Sequence, residues 1–498
     1  MQCRLGLFKQ ILACVWLLLS LAATPANATD SDRQVLHVLN RLAFGPTVDD
    51  FSYVKMIGVE RYIAEQLDPA DIAEPLELRF RLAQLGTLDL DAVELRQFYG
   101  PLRTVAGVKP TLDDIKAQQQ RASLVFREAA EARVLRAVLS RRQLQQVMVD
   151  FWFNHFNIFA GEGLDRIWIG NYEEQAIRRF ALGHFRDLLF AVAKHPAMLL
   201  YLDNTRNTAE PRSGQDRLNE NFAREVMELH TLGVDGGYSQ GDVETLARVF
   251  TGWRINSPGA TEFPEVAAVF EGSRHDYGAK VFLGHQLLAR GKAEGEEALD
   301  ILASSRATAH HIGFELAQYF VADTPPPTLV ERLAARFLAT GGDIREVLKT
   351  LFDSPEFWTS TGQKYKTPYE FVISAARAAG LPINNPQPLL GWMSRLGMPL
   401  YGCETPDGYK NTAQAWLSPD ATLQRIDFAV AFARGAVPVA ADVGRAAPGR
   451  HRTLAIDPKP LLALFGSTLT PATRAVILAA PAGQRAALLL GSPDFMRR

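Results

Sequence analysis

Over most of this chain, apolar residues return every three or four positions, and the strict alternation of a half-buried strand is rare. Stripes of that period are buried only by packing helix against helix, so the fold expected is mainly α: a large multi-helix, bundle-like array with one small β-hairpin. Arg33 to Phe44 reads as a first helix, with Val35, Leu39 and Leu42 on one stripe. From about Lys109 to Phe159 runs a long helical stretch, opened by the N-cap sequence "TLDD" and closed by the aromatic cluster "DFWFNHFNIF". "TPYE" at Thr367 sets Thr at the N-cap, Pro at the first helical position and Glu at the third; "SPDA" at Ser418 and "TPAT" at Thr470 open helices similarly. The hairpin is expected in "AVFEGSRHDYGAKVFLG", with Val269 to Phe270 and Val281 to Leu283 as its strands.

The N-terminal 28 residues carry two cations, Arg4 and Lys9, an apolar run from Ile11 to Ala23, and the small-residue pattern Ala26-Asn27-Ala28. That is the pattern of a secretory signal peptide cleaved after Ala28, too short in its apolar part to stay as an anchor; a periplasmic or secreted protein is expected. Removing it takes Cys3 and Cys14 and leaves 470 of 498 residues, with Cys403 alone. An exported chain with one thiol has no internal disulfide, so burial alone must hold it together. With 51 basic and 55 acidic residues remaining, nothing draws it to nucleic acid, and no later apolar run is long enough to span a membrane. The organisation expected is a main helical domain over 29–434, a flexible loop at about 205–217, a linker over 435–460 and a small C-terminal helical unit over 461–498. "LFDSPEF" and "LLGSPDF" repeat a Ser-Pro capping device.

The densest polar segment is "NENFAREVMELHTLG", Asn219 to Gly233. On a helical wheel Phe222, Val226, Leu229 and Gly233 share the inward face, while Asn221, Glu225 and Glu228 flank it. Glu228 and His230 stand roughly 160° apart, so one ion cannot take both; Glu225 and Glu228, about 60° apart, can share one. "DNTRN" brings Asp203 and Asn204 close in sequence, and so many oxygen donors suit a hard divalent cation such as calcium or magnesium, held by Asp203, Glu225 and Glu228. The competing reading is a solvated helix with a Glu220-Arg224-Glu228 ladder, each pair contributing a few tenths of a kcal/mol.

His155 falls on the apolar face of its helix with Leu144, Met148, Phe151 and Phe159, either as a satisfied core histidine or as a ligand or general base at the mouth of a bundle; Asn154 lies beside it. His195-Pro196 marks a helix break, and of His310 and His311 one must face solvent. "HDYGAK" sets His275 and Lys280 at a hairpin tip, as a solvated turn or as groups reaching into a cleft. "GYSQG" matches GxSxG, but a helix and not a strand precedes it, and Ser239 with Asp242 forms a capping box, so Ser239 as a nucleophile is the lesser alternative. There is no P-loop, HExxH, dinucleotide fingerprint or haem-attachment CxxCH, which leaves no haem and no nucleotide cofactor to expect.

"RLAFGPT", "FWFNHFNIF", "HPAMLLYLDNTRN", "NENFAREVMELHTLGVDGGYSQGDVETLARVFTGW", "HDYGAKVFLG", "KYKTPYEFV" and "PDGY" together resemble, in order, the bacterial domain-of-unknown-function 1800 family. The resemblance implies an exported, large, mostly helical protein without an established activity, encoded beside exported proteins of the sulfatase and alkaline-phosphatase type. Such a protein is then the expected partner, and an envelope or extracellular polymer or glycan the expected ligand. The family carries no agreed catalytic residues, and similar proteins can have threonine at the position of Ser239, which favours the cap. The function favoured is hydrolytic: His155, Asp203, Glu225 and Glu228 as catalytic groups, with Asn154, Asn204, Asn219, Asn221, Arg224, His275 and Lys280 binding substrate. The rival is a non-catalytic envelope binding or assembly protein in which the same residues brace helices.

Overall fold

A computed structural model describes residues 30–101, 110–209, 217–256, 267–440 and 455–498. The expected leader, and residues 210–216 and 441–454 of the two expected connections, lie outside the described residues. The chain is mainly helical, with two small antiparallel two-stranded sheets. Five helices position the site and are labelled in chain order: α1 (Leu112–Leu139), α2 (Gln143–His155), α3 (Asn221–Glu228), α4 (Arg306–Phe320) and α5 (Pro368–Ala379).

Thr111 and Asp114 close a reciprocal capping box on α1, as Thr367 and Glu370 do on α5. The long stretch to Phe159 is two helices, not one, because Ser140 takes an extended conformation. Gln143 makes the break tolerable: its Nε2 donates to the carbonyls of Ala137 at 3.1 Å and Ser140 at 2.8 Å, groups that a helix end leaves unpaired. The hairpin expectation is overturned. Neither of its two runs pairs with the other. Strand β1 (Trp253–Ile255) pairs with β2 (Ala268–Phe270), and β3 (Lys280–Phe282) pairs with β4 (His285–Leu287), in registers Arg254 with Val269 and Val281 with Gln286. The β3–β4 turn is Leu283-Gly284, with φ of 48° and 80°, so the tight turn that selects β3's partner sits just after it, on a leucine that turn rules pass over.

Helix α2 is the axis of the core. Leu144, Val147, Met148 and Trp152 are fully enclosed, each contributing about 1.5–3 kcal/mol by burial. Trp152 Nε1 also donates to the Ala181 carbonyl at 3.0 Å. The C-terminal residues join the same core: the helix Ala482–Leu490 packs on the helix Pro419–Ala433, and Arg498 N donates to the Lys364 carbonyl at 2.8 Å.

A buried ionic chain crosses this interior. Arg133 of α1 reaches Asp150 of α2 at 2.6 Å and Glu173 at 2.9 Å; Glu173 also accepts from Arg178 at 2.9 Å and from the Tyr401 hydroxyl at 2.7 Å. Removing one partner of such a pair leaves a charge buried and unmatched. Arg133→Met therefore lowers unfolding free energy by about 3–5 kcal/mol in urea titration, with Asp150 as the group left stranded; a loss below 1 kcal/mol contradicts this.

Two enclosed histidines add a pH dependence. His37 Nε2 donates to the Phe357 carbonyl, 2.9 Å away, and His195 Nε2 faces Asn171 Oδ1 at 3.0 Å. Burial, joined for His37 by the charge of Arg41, pulls both to about 3, so both are neutral in the folded chain. The unfolded chain takes up their protons near pH 6.5 and the folded chain does not, so stability present above about 6.5 falls steadily below it. From this pair alone the unfolding free energy at pH 5 is roughly 4 kcal/mol lower than at pH 7; urea titrations at the two pH values check it.

Candidate functional site

The site begins with the end of α3. A helix leaves its last carbonyls without intrahelical donors, and the turn that follows α3 aims two of them at imidazoles: His311 Nε2 lies 3.2 Å from the Leu229 carbonyl and His155 Nε2 3.2 Å from the His230 carbonyl. His155 is the last residue of α2, and His311 and Glu315 stand one turn apart on α4. A carbonyl can only accept, so Nε2 is the protonated nitrogen of the neutral His155 ring. Its Nδ1 then points at Glu315 Oε2, 2.6 Å away. Two lone pairs at that distance repel, so a positive charge, a second proton or an ion, belongs between them.

Burial pushes the Glu315 carboxyl up, but the neighbouring His155 and His311, with the hydrogen bond from His155, outweigh it and hold it below the usual carboxylate range. Burial draws His311 down, and Glu315 only partly restores it. His311 Nε2 is 3.6 Å from Glu315 Oε1, and the ligand atoms of His155, His311 and Glu315 all lie within 4.8 Å of one another, the one such metal-compatible trio among the described residues. Behind them His230 is enclosed, with neither ring nitrogen hydrogen-bonded.

These groups line a cleft of about 240 Å³ with Asp150, Glu228, Thr367, Asp407 and Lys410. Asp150 ties its floor to the Arg133 chain. Glu228 meets the Tyr238 hydroxyl at 3.5 Å and has no cation in ion-pair contact among the described residues, whereas Asp407 is bound by Lys410 at 2.6 Å. Glu225, one turn back on α3, is half-buried; burial, then the charge of Glu228, raises its carboxyl.

One wall is a loop fastened by asparagines. Asn154 Oδ1 accepts from Tyr409 N at 2.7 Å and its Nδ2 donates to the Tyr409 carbonyl at 2.9 Å; Asn157 Nδ2 donates to the carbonyls of Cys403 at 3.0 Å and Thr405 at 2.9 Å. Gly408 is required there: its φ is +63°, and a Cβ would sit 2.3 Å from the Asn154 carbonyl oxygen.

Of the residues expected at the site, the structure brings together His155, Glu228 and Asn154 at the cleft; Glu225, beside Glu228 on α3, does not line it. Asn154 spends both ends of its amide on the Tyr409 backbone, not on a ligand. The expected cation set of Asp203, Glu225 and Glu228 does not converge: Asp203 is half exposed beside Arg206. With Asn219, Asn221 and Arg224, Asp203 lines a separate, open hollow of about 680 Å³. Asn204 is buried and donates to the carbonyls of Phe250 at 3.2 Å and Trp253 at 2.8 Å. Arg224 is held by Glu220 and Gln240, each at 3.0 Å. His275 and Lys280 do not reach a cleft. They turn inward onto Glu294, at 3.1 and 2.8 Å, a fully buried carboxylate that also accepts the amides of Arg290 and Gly291. Ser239 caps its helix, and its hydroxyl donates to Asp242 Oδ2 at 2.6 Å.

His311 and Glu315 were not among the expected site residues. The signal available was their i,i+4 spacing beside the solvent-facing His310.

The architecture is that of a helical protein with a histidine–carboxylate cleft. The family model described as a protein of unknown function (DUF1800) matches residues 37–497, and the chain belongs to that family. No curated protein and no solved structure matches.

The clasp on the loop yields a test. Asn154→Ala removes both partners of the Tyr409 backbone and lowers stability by about 1–3 kcal/mol; limited proteolysis then cuts within residues 402–411 sooner than in the wild type, and an unchanged digestion pattern contradicts the assignment.

Proposed function

We propose that the chain is an exported hydrolase acting on an envelope or extracellular polymer, with the His155–Glu315 cleft as its working site. The observation that carries the reading is His155 Nδ1 standing 2.6 Å from Glu315 Oε2, a contact that calls for a proton or an ion between them, in a cleft also lined by Asp150, Glu228, Asp407 and Lys410. A fixed positive charge in a partly enclosed site stabilises the oxyanion that develops when water attacks an acyl, phosphoryl or sulfuryl centre. Glu228, which has no cationic partner among the described residues, is the group to accept the proton of that water. At about 240 Å³ the cleft has room for one polymer unit or one substituent. Export is supported by the leader pattern before Thr29. An exported sulfatase- or phosphatase-like protein is the partner we propose, supplying or consuming the same polymer.

The test uses the full exported chain, and intact-mass measurement on it checks the expected start at Thr29. Chromogenic esters, phosphates, sulfates and glycosides are assayed beside extracted polysaccharide. The wild type turns over at least one class, and Glu228→Gln lowers kcat about 100-fold or more with an unchanged melt. A folded wild type inactive on all of them, or a Glu228→Gln variant at full rate, overturns the reading, the first result in favour of a binding protein.

A further inference from the structure

We infer that the positive charge at this centre is a divalent transition-metal ion of the zinc class, held by His155 Nδ1, His311 Nε2 and a Glu315 carboxylate oxygen, with open positions facing the cleft. The inference rests on the reading of this cleft as the working site and names what it binds.

Three geometric facts support it. Donors about 2.1 Å from one ion stand roughly 3–3.4 Å apart along the edges of its coordination polyhedron. His155 Nδ1 lies 2.6 Å from Glu315 Oε2 and His311 Nε2 3.6 Å from the other oxygen, Oε1, distances on either side of that range, and one ligand atom from each of the three residues lies within 4.8 Å of the others. Second, a metal-bound imidazole has its other nitrogen donating to a carbonyl or carboxylate, which fixes tautomer and ring plane. His155 shows this arrangement: Nε2 is committed to the His230 carbonyl and Nδ1 is turned to Glu315. His311 joins by exchanging its Leu229 contact for the ion. Third, two imidazoles and one carboxylate form a donor set suited to zinc, iron or nickel and poorly suited to calcium or magnesium, which take oxygen ligands. The donors come from the end of α2 and one face of α4, so the two helices place all three and only the His311 ring has to turn.

Binding of the ion involves no redox step. It displaces the proton, where one is present, between His155 and Glu315. In the cleft it leaves positions for water and for an oxygen of the substrate.

The experiment uses the full chain stripped with chelator and dialysed. It is titrated with Zn²⁺, with Ca²⁺ and Mg²⁺ in parallel, followed by calorimetry and thermal melting, and with Co²⁺, followed by its visible ligand-field absorption. We expect one equivalent of Zn²⁺ or Co²⁺, a raised melt, and no response to Ca²⁺ or Mg²⁺. His311→Ala and Glu315→Gln weaken binding about 100-fold or more, while His310→Ala, on the exposed side of the same helix, binds as the wild type does. Should a site variant fold poorly, the wild-type Co²⁺ spectrum still decides, since a four- or five-coordinate protein site gives it an intensity that six-coordinate aqueous Co²⁺ lacks. No binding by the folded wild type, or equal binding by His311→Ala, overturns the inference. A stripped, metal-free protein that turns over substrate ends the ion and leaves the hydrolytic reading in place; one bound equivalent without turnover does the reverse.

Discussion

The guanidinium of Arg133 is the group around which the interior is arranged. It is nearly enclosed, it pairs with Asp150 and Glu173, and it lies over the rings of Phe153, Tyr369 and Tyr401 at 4.9, 5.5 and 5.4 Å. Those contacts join α1, α2, the segment Glu173–Ile177, α5 and the start of the loop that walls the cleft. Apolar residues of the same volume could match its stability, because desolvating the charges costs about as much as their attraction returns. What they would not supply is register. Asp150 precedes His155 by five residues on α2, so fixing one fixes the other against α4.

Much of this fold was legible because caps and apolar stripes are local. Thr111, Ser239, Thr367, Ser418 and Thr470 each cap the helix their sequence announces, since the bond they make spans only two or three residues. His155 was legible for the same reason: the wheel turns it inward. The misread residues are those whose partner lies far along the chain. His275 and Lys280 look like a solvated tip until Glu294 is folded beneath them, and a carboxylate on the next helix leaves no mark on the pattern of "HDYGAK". Asn204 and Asp203 are adjacent in sequence, yet one is buried on backbone carbonyls and the other half exposed. Periodicity assigns a face; it does not assign what stands opposite.

The same distinction explains two segments that look unrelated as strings. "FWFNHFNIF" and "PDGY" lie about 250 residues apart, and they are one device in space. The two asparagines hold the loop by its backbone, the glycine lets the loop come that close, and the histidine between the asparagines is left facing the cleft. A side chain that binds backbone does not depend on which residues the loop carries, so Asp407 and Lys410 can be presented at the rim without being part of the clasp.

The turn after α3 completes this division of labour. Its carbonyls have no helical donors, and instead of being left to water two of them direct the Nε2 atoms of His155 and His311. Because each ring is oriented by main chain, its orientation survives any change of side chain at Leu229. Glu225, whose carbonyl takes the amides of both Leu229 and His230, is where α3 stops, and its side chain also meets the charge of Glu228. The acidic stripe of α3 and the histidines of α2 and α4 are thus coupled through backbone geometry, which is why a helix that reads as a solvated surface element sets the chemistry of a cleft to which it contributes one carboxylate.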